Sequence, residues 1–217
     1  MSESGKILLL LSIPFVILLP LLRGRMRALC AAFLSGMCIC FFSAYINSFA
    51  MYGSGMSFIE SVRCTTPIIE ECMCLLPLLF YLLIVSPEGS DTVMFGVVLG
   101  IGFAVFENAC YIAANGIVSP QFILIRSASA GVLHVICGLI QGTGVSVAQR
   151  NKPVMFTCIA GMLAFTVSLH SIYNLYVSAG GAAMYVGLCI PLICTFLALL
   201  LQKKIRDLLS KISDMQH

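Results

Sequence analysis

The sequence predicts an all-α, polytopic transmembrane helix bundle of about seven spans, and three observations lead there. Of 217 residues, 60% are hydrophobic and only 10% charged, where a soluble domain carries about 25% charged residues. The apolar residues fall in long runs, near the length of about 20 residues that crosses a bilayer. The lysines and arginines gather between alternate runs. A chain with so little polar surface is solvated by lipid, where a helix satisfies its own backbone hydrogen bonds. The same balance excludes a nucleic-acid partner, since a net charge of +3 is small and scattered.

Taken in order, the runs predict spans at 7–22, 28–50, 67–85, 92–114, 122–148, 154–176 and 182–202. The first has no small-residue cleavage site, and Arg23, Arg25 and Arg27 follow it as a stop-transfer flank. Residues 51–66 read as a short interfacial segment, because Gly53, Gly55, Glu60 and Arg63 interrupt the apolar pattern. Pro67 then reads as the start of the third helix, where proline is tolerated. Gly96, Gly100 and Ala104 in the fourth span, and Gly138 and Gly142 in the fifth, form small-residue seams for close helix approach. No repeat or linker is visible, so residues 1–217 read as a single transmembrane domain. The 11 cysteines, an odd number without CxxC spacing, read as packing residues rather than a disulfide or zinc framework.

Seven spans place Arg23, Arg25, Arg27, Arg150, Lys152, Lys203, Lys204, Arg206 and Lys211 on one side, and Lys6 and Arg63 on the other. The positive-inside rule therefore puts the N-terminus outside and the C-terminus in the cytoplasm. Residues 203–217 become a basic cytoplasmic tail resting on anionic headgroups.

Ionisable groups in hydrocarbon cost several kcal/mol unless they are paired or face a wet cavity. Yet Glu70 and Glu71 open the third span, Glu107 lies in the fourth, Arg126 and His134 in the fifth, and His170 in the sixth. Because spans alternate in direction, all six are expected in one layer of the outer half of the membrane. Glu70 and Glu71 should lie about one turn below the surface, and His134 about 12 Å beneath Arg126. One such layer reads as a single polar cavity opening outward. His170 and Asn174 are spaced i, i+4 and share a helix face, so Asn174 is expected to orient the imidazole or donate to an oxyanion. Arg126 alone reads equally as a snorkelling anchor, and Tyr111 and Tyr173 read as packing or interface residues.

These residues resemble, in order and spacing, the PrsW family of intramembrane proteases. That family carries EExxK, FxxxEN, a histidine followed by a glycine-rich stretch, and HxxxN. This chain offers Glu70-Glu71, then Phe103 with Glu107-Asn108, then Arg126 with His134 and Gly138, and finally His170 with Asn174, over roughly residues 65–175. Its wider relatives are the CAAX prenyl protease and bacteriocin-immunity membrane proteins. The lysine of EExxK is Cys74 here, which leaves Arg126 as the expected cation for the glutamate pair.

The resemblance implies a multi-pass enzyme of a bacterial plasma membrane. It would cut a membrane-anchored protein, an anti-sigma factor, near its extracytoplasmic face and so start a stress response. It implies that Glu70 or Glu71 takes the proton from water. His134 would position that water or protonate the leaving amine, and His170 with Asn174 would hold the oxyanion. Glu107 and Asn108 would complete the polar shell. HExxH is absent and no histidine pair shares one helix, so metal-free glutamate catalysis is expected ahead of zinc. Were zinc bound, Glu71, His134 and His170 would be the ligands. Two other functions use the same residues. One is a proton-coupled carrier, against which stands the lack of an internal repeat. The other is a catalytically inactive scaffold of the same fold, which Cys74 favours.

Overall fold

The structure, a computed structural model, describes residues 2–116, 118–150 and 152–214, and the side chains of these apart from residues 150, 152 and 202–214. Among them every regular element is helical. We number seven helices. They are α1 (Glu3–Leu18), α2 (Gly24–Ser54), α3 (Phe58–Val85), α4 (Gly89–Asn115), α5, α6 (Met155–Ala179) and α7 (Gly181–Asp214). Helix α5 is continuous through Pro120–Arg126, a π-helical turn at Ser127–Gly131, and Val132–Arg150.

Six of these, α2 to α7, are long and apolar enough to cross a membrane. Helix α1, expected as a full span, has 16 residues, about 24 Å of rise against a hydrocarbon core of about 30 Å. Helix α7 continues past the expected end of the last span to Asp214. The basic side chains expected in the tail, Lys203 to Lys211, lie outside the described side chains, as do residues 215–217 altogether.

The expected interfacial segment 51–66 does not exist as such. Helix α2 runs on through Gly53 to Ser54, and Gly55 ends it with φ +68°, a left-handed turn suited to glycine. Ser57 then starts α3 with a capping box, its hydroxyl accepting from the Glu60 amide while the Glu60 carboxylate accepts from the Ser57 amide. The glutamate that interrupts the apolar pattern is thus a helix-start residue. Pro67 accordingly does not begin α3 but lies buried in its interior, nine positions after Phe58. Glu70 is twelve positions in, about 18 Å along the axis rather than one turn.

Five helices close a ring in the order α2, α4, α5, α6, α3, while α1 packs outside on α2 and α4, and α7 outside on α6 and α5. The most extensive pairing joins α4 to α5, where the two expected seams face each other. A methyl group built on Gly96 would strike the Gly138 carbonyl, one on Gly138 would strike the Gly96 carbonyl, and one on Gly100 the His134 carbonyl. No side chain fits between these backbones, which is what lets α4 bring Glu107 against α5. Gly138→Val is therefore expected to force the helices apart, costing about 3 kcal/mol or more and read as loss of folded protein in detergent unfolding. Retained stability in that variant would show the close approach to be unimportant. All 11 cysteines stand as free thiols; Cys40, Cys74 and Cys137 are buried, as packing residues would be, whereas Cys64, Cys72 and Cys189 are exposed.

Candidate active site

The six intramembrane ionisable residues do meet. They lie between α3 on one side of the ring and α4, α5 and α6 on the other. Measured from the helix ends on that side, Glu70, Glu107, His134 and His170 sit eight to fourteen positions deep, about 12–21 Å along the axes. The cluster is nearer the helix middles than its sequence positions suggest.

Glu71 and His170 form its most enclosed part, 2% and 4% exposed. His170 Nδ1 lies 2.9 Å from Glu71 Oε1. The second oxygen of Glu71 accepts from Gln141 Nε2 at 2.8 Å, and the same nitrogen reaches the Glu71 backbone carbonyl and Thr166 Oγ1, each at 3.2 Å. A backbone carbonyl only accepts, so the Gln141 amide must point its nitrogen here. Both Glu71 oxygens are then occupied by donors, the proton of His170 is assigned to Nδ1, and its Nε2 lone pair is turned toward Glu70. Glu70 Oε2 lies 3.8 Å from that Nε2, and Glu70 Oε1 accepts from Asn47 Nδ2 at 3.4 Å.

The second half of the site is built on Glu107. Its Oε2 is 3.2 Å from His134 Nε2, and its Oε1 accepts from Arg126 Nη2 at 3.0 Å. The π turn makes this pairing available. Arg126 and His134 are eight residues apart, which in a regular helix leaves them about 80° out of line. The wider turn at Ser127–Gly131 absorbs one residue, so the separation behaves as about two turns and both side chains reach one carboxylate. The Arg126 guanidinium also lies 3.9 Å from the centre of the Tyr111 ring. The two imidazoles meet edge to face with centroids 5.2 Å apart, and a cavity of about 300 Å³ opens onto Glu70, Glu107, Arg126, His134 and His170.

Other expectations are revised. Asn174 lines the cavity, but its amide donates to the Val62 carbonyl at 2.9 Å, tying α6 to α3. Asn108 faces Gly131 in the π turn rather than the cavity. Arg126 pairs with Glu107, not with the Glu70–Glu71 pair, and Cys74 is buried in the apolar core. Where a lysine is expected for the two glutamates, the amides of Asn47 and Gln141 donate instead.

The metal set changes too. Glu71 is withdrawn toward Gln141, and Glu70, His134 and His170 instead offer ligand atoms within 4.8 Å of one another. Two imidazoles and a carboxylate are a catalytic zinc donor set. His170 is also backed by a further carboxylate, Glu71, the usual support of a metal-bound histidine, and the Glu107 carboxylate lies 3.2 Å from His134 Nε2. The donor set therefore fits a divalent metal.

Gln141 and Asn47 were not singled out from the sequence, and Tyr111, read there as a packing or interface residue, instead lies beneath the Arg126 guanidinium; each left a signal. Gln141 follows His134 by seven residues and Tyr111 follows Glu107 by four, which are same-face spacings. Asn47 is an amide inside an apolar run.

A bundle of membrane-length helices around a buried, cross-braced set of carboxylates and imidazoles defines a polytopic membrane protein with an internal polar centre. The description "PrsW family intramembrane metalloprotease" matches residues 24–201, and the chain belongs to that family. It is also 33% identical over 84 residues to "Protease PrsW" of Halalkalibacterium halodurans, which is 39% of this chain and 38% of the relative. The matched stretch thus spans well under half the length of that protein. No solved structure matches. Helix α1 and the end of α7 lie outside the family match.

Proposed function

We propose that the chain is an intramembrane endopeptidase. The observation that carries this reading is a carboxylate, Glu70, facing two imidazoles across a cavity inside the membrane bundle, in a chain of this family. Glu70 is the base. Neither of its oxygens has a short partner, with neighbours at 3.4 and 3.8 Å, so a water can donate to Glu70 and to His170 Nε2 together. Glu71 and Gln141 hold His170 in the tautomer this needs. His134, steadied by Glu107, is placed to protonate the leaving amine. Arg126 lines the cavity with a buried Nε–H that has no partner among the described residues, a donor suited to the carbonyl oxygen as it gains charge.

The zinc reading has its own observation, the clustering of Glu70, His134 and His170. These three would hold the ion, which when bound supplies Lewis-acid activation of water and carbonyl. Purified protein retaining about one zinc per chain, lost in His170→Ala together with cleavage, would favour zinc. Full activity of metal-free protein would favour glutamate alone.

The distribution of lysine and arginine supports an extracytoplasmic N-terminus, a cytoplasmic C-terminus and a cavity opening outward. The substrate is then a membrane-anchored protein cut near its outer boundary, an anti-sigma factor in a bacterial plasma membrane. The test is cleavage of a candidate anti-sigma factor co-expressed with this chain. Cleavage that needs the chain is expected, and intact substrate at normal expression of both would overturn the reading.

A further inference from the structure

Two cavities meet at Glu70. The smaller, described above, contains the imidazoles. A larger one of about 460 Å³ lies on the other side, between α1, α2, α3 and α4. Glu70 and Glu107 line both, as do Phe58, Val62 and Thr66 nearer the start of α3. The two oxygens of Glu70 divide between them. Oε2 is toward His170, which lines only the smaller cavity, and Oε1 accepts from Asn47, which lines only the larger. Phe41, Met51 and Phe106 make much of the larger wall apolar. Asn47, on its wall, carries an Oδ1 that is shut off from solvent and has no partner among the described residues.

An endopeptidase must hold chain on both sides of the bond it cuts. With the base at the junction, a peptide whose scissile bond lies at Glu70 has to enter both cavities. We propose that the larger cavity is a binding site for one flank of the substrate, an extended apolar stretch of polypeptide. Its bulky side chain sits against Phe41, Met51 and Phe106, and Asn47 accepts one of its backbone N–H groups. The flank is extended because a helical backbone has already spent its N–H groups internally. It is polypeptide rather than lipid because an acyl chain offers Asn47 no donor and would leave that amide buried and unpaired. This inference rests on the peptidase reading.

The experiment uses the full chain in liposomes with single-spanning peptides. A photoreactive benzoylphenylalanine is scanned along the juxtamembrane stretch, on Glu70→Gln protein. Positions on one flank are expected to crosslink to α2 residues of the larger cavity, and positions on the other flank to α5 and α6. No crosslinks to α2, or both flanks crosslinking to one cavity, overturns the proposal; occupation by lipid would give the first result. In parallel, Ala44→Phe and Ser48→Phe fill the larger cavity from exposed positions of α2. They are expected to lower kcat/KM by about tenfold or more for peptides with Phe or Leu on that flank, and by less than about threefold with Ala there. An equal effect on both peptides, or none, also overturns it. Wild-type cleavage without α2 crosslinks sinks the cavity assignment and spares the peptidase. Divided crosslinks without wild-type cleavage sink the peptidase and spare the peptide site.

Discussion

Replacing Glu70 by glutamine is expected to lower peptide hydrolysis by about a thousandfold while the bundle stays folded. A positioned base contributes about 10²–10⁴ in rate, and glutamine keeps the size of the side chain but cannot take a proton. The fold should tolerate the change because Glu70 makes no short hydrogen bond, with Asn47 at 3.4 Å and His170 at 3.8 Å. The glutamine oxygen can still accept from Asn47. If Glu70 also helps hold zinc, the same variant loses metal affinity, which elemental analysis would read beside the rate. Near-normal cleavage by well-folded Glu70→Gln protein would remove Glu70 from the chemistry. The neighbouring Glu71→Gln should behave differently. Both Glu71 oxygens accept from donors, so its amide would set one N–H against another, and folding would suffer together with activity.

Gln141→Leu is expected to destabilise the protein by about 3 kcal/mol or more. Gln141 is 1% exposed, and its nitrogen reaches the carboxylate and backbone of Glu71 on α3 and Thr166 on α6. Leucine leaves the buried Glu71 carboxylate with His170 as its remaining donor, and a buried group left short of a donor costs about 1–3 kcal/mol, more when it is charged. Asn174→Ala is the useful contrast, because it removes only a neutral interhelical bond to Val62, and such bonds in membranes average about 0.6 kcal/mol. The double variant Glu71→Leu with Gln141→Leu should be less damaged than the two single losses added together, because the charge goes with its partner. Unfolding in mild detergent followed by helix content would measure all four. A Gln141→Leu loss no larger than that of Asn174→Ala would mean that Gln141 is not what holds Glu71.

Much of the bundle was legible because lipid as a solvent leaves few alternatives. Spans four to six lie within a few residues of α4, α5 and α6, since each apolar run ends at glycine, proline or charge. The errors came where a single residue type had two meanings. Glu60 reads as a break in an apolar pattern, yet with Ser57 it is a helix-start device, and nine residues of α3 were hidden behind it. That error carried into the site, putting Glu70 and Glu71 one turn deep instead of more than three. The glycine seams were read correctly because close helix contact needs small residues whatever the partner, but which seam meets which was open.

The sequence by itself determined the membrane bundle, the family and the six ionisable residues that gather, because burying charge in hydrocarbon is too costly to occur without a partner. Only the tertiary structure decided which partner each one has. Glu71 turns back to His170 and Gln141, leaving Glu70 to face the cavity. Arg126 and His134 converge on Glu107 because one extra residue in a π turn rotates them into line. Adjacent side chains on a helix point about 100° apart, so a motif of neighbouring glutamates records that two carboxylates are present but not which one enters the cavity. That is set by the helices on either side.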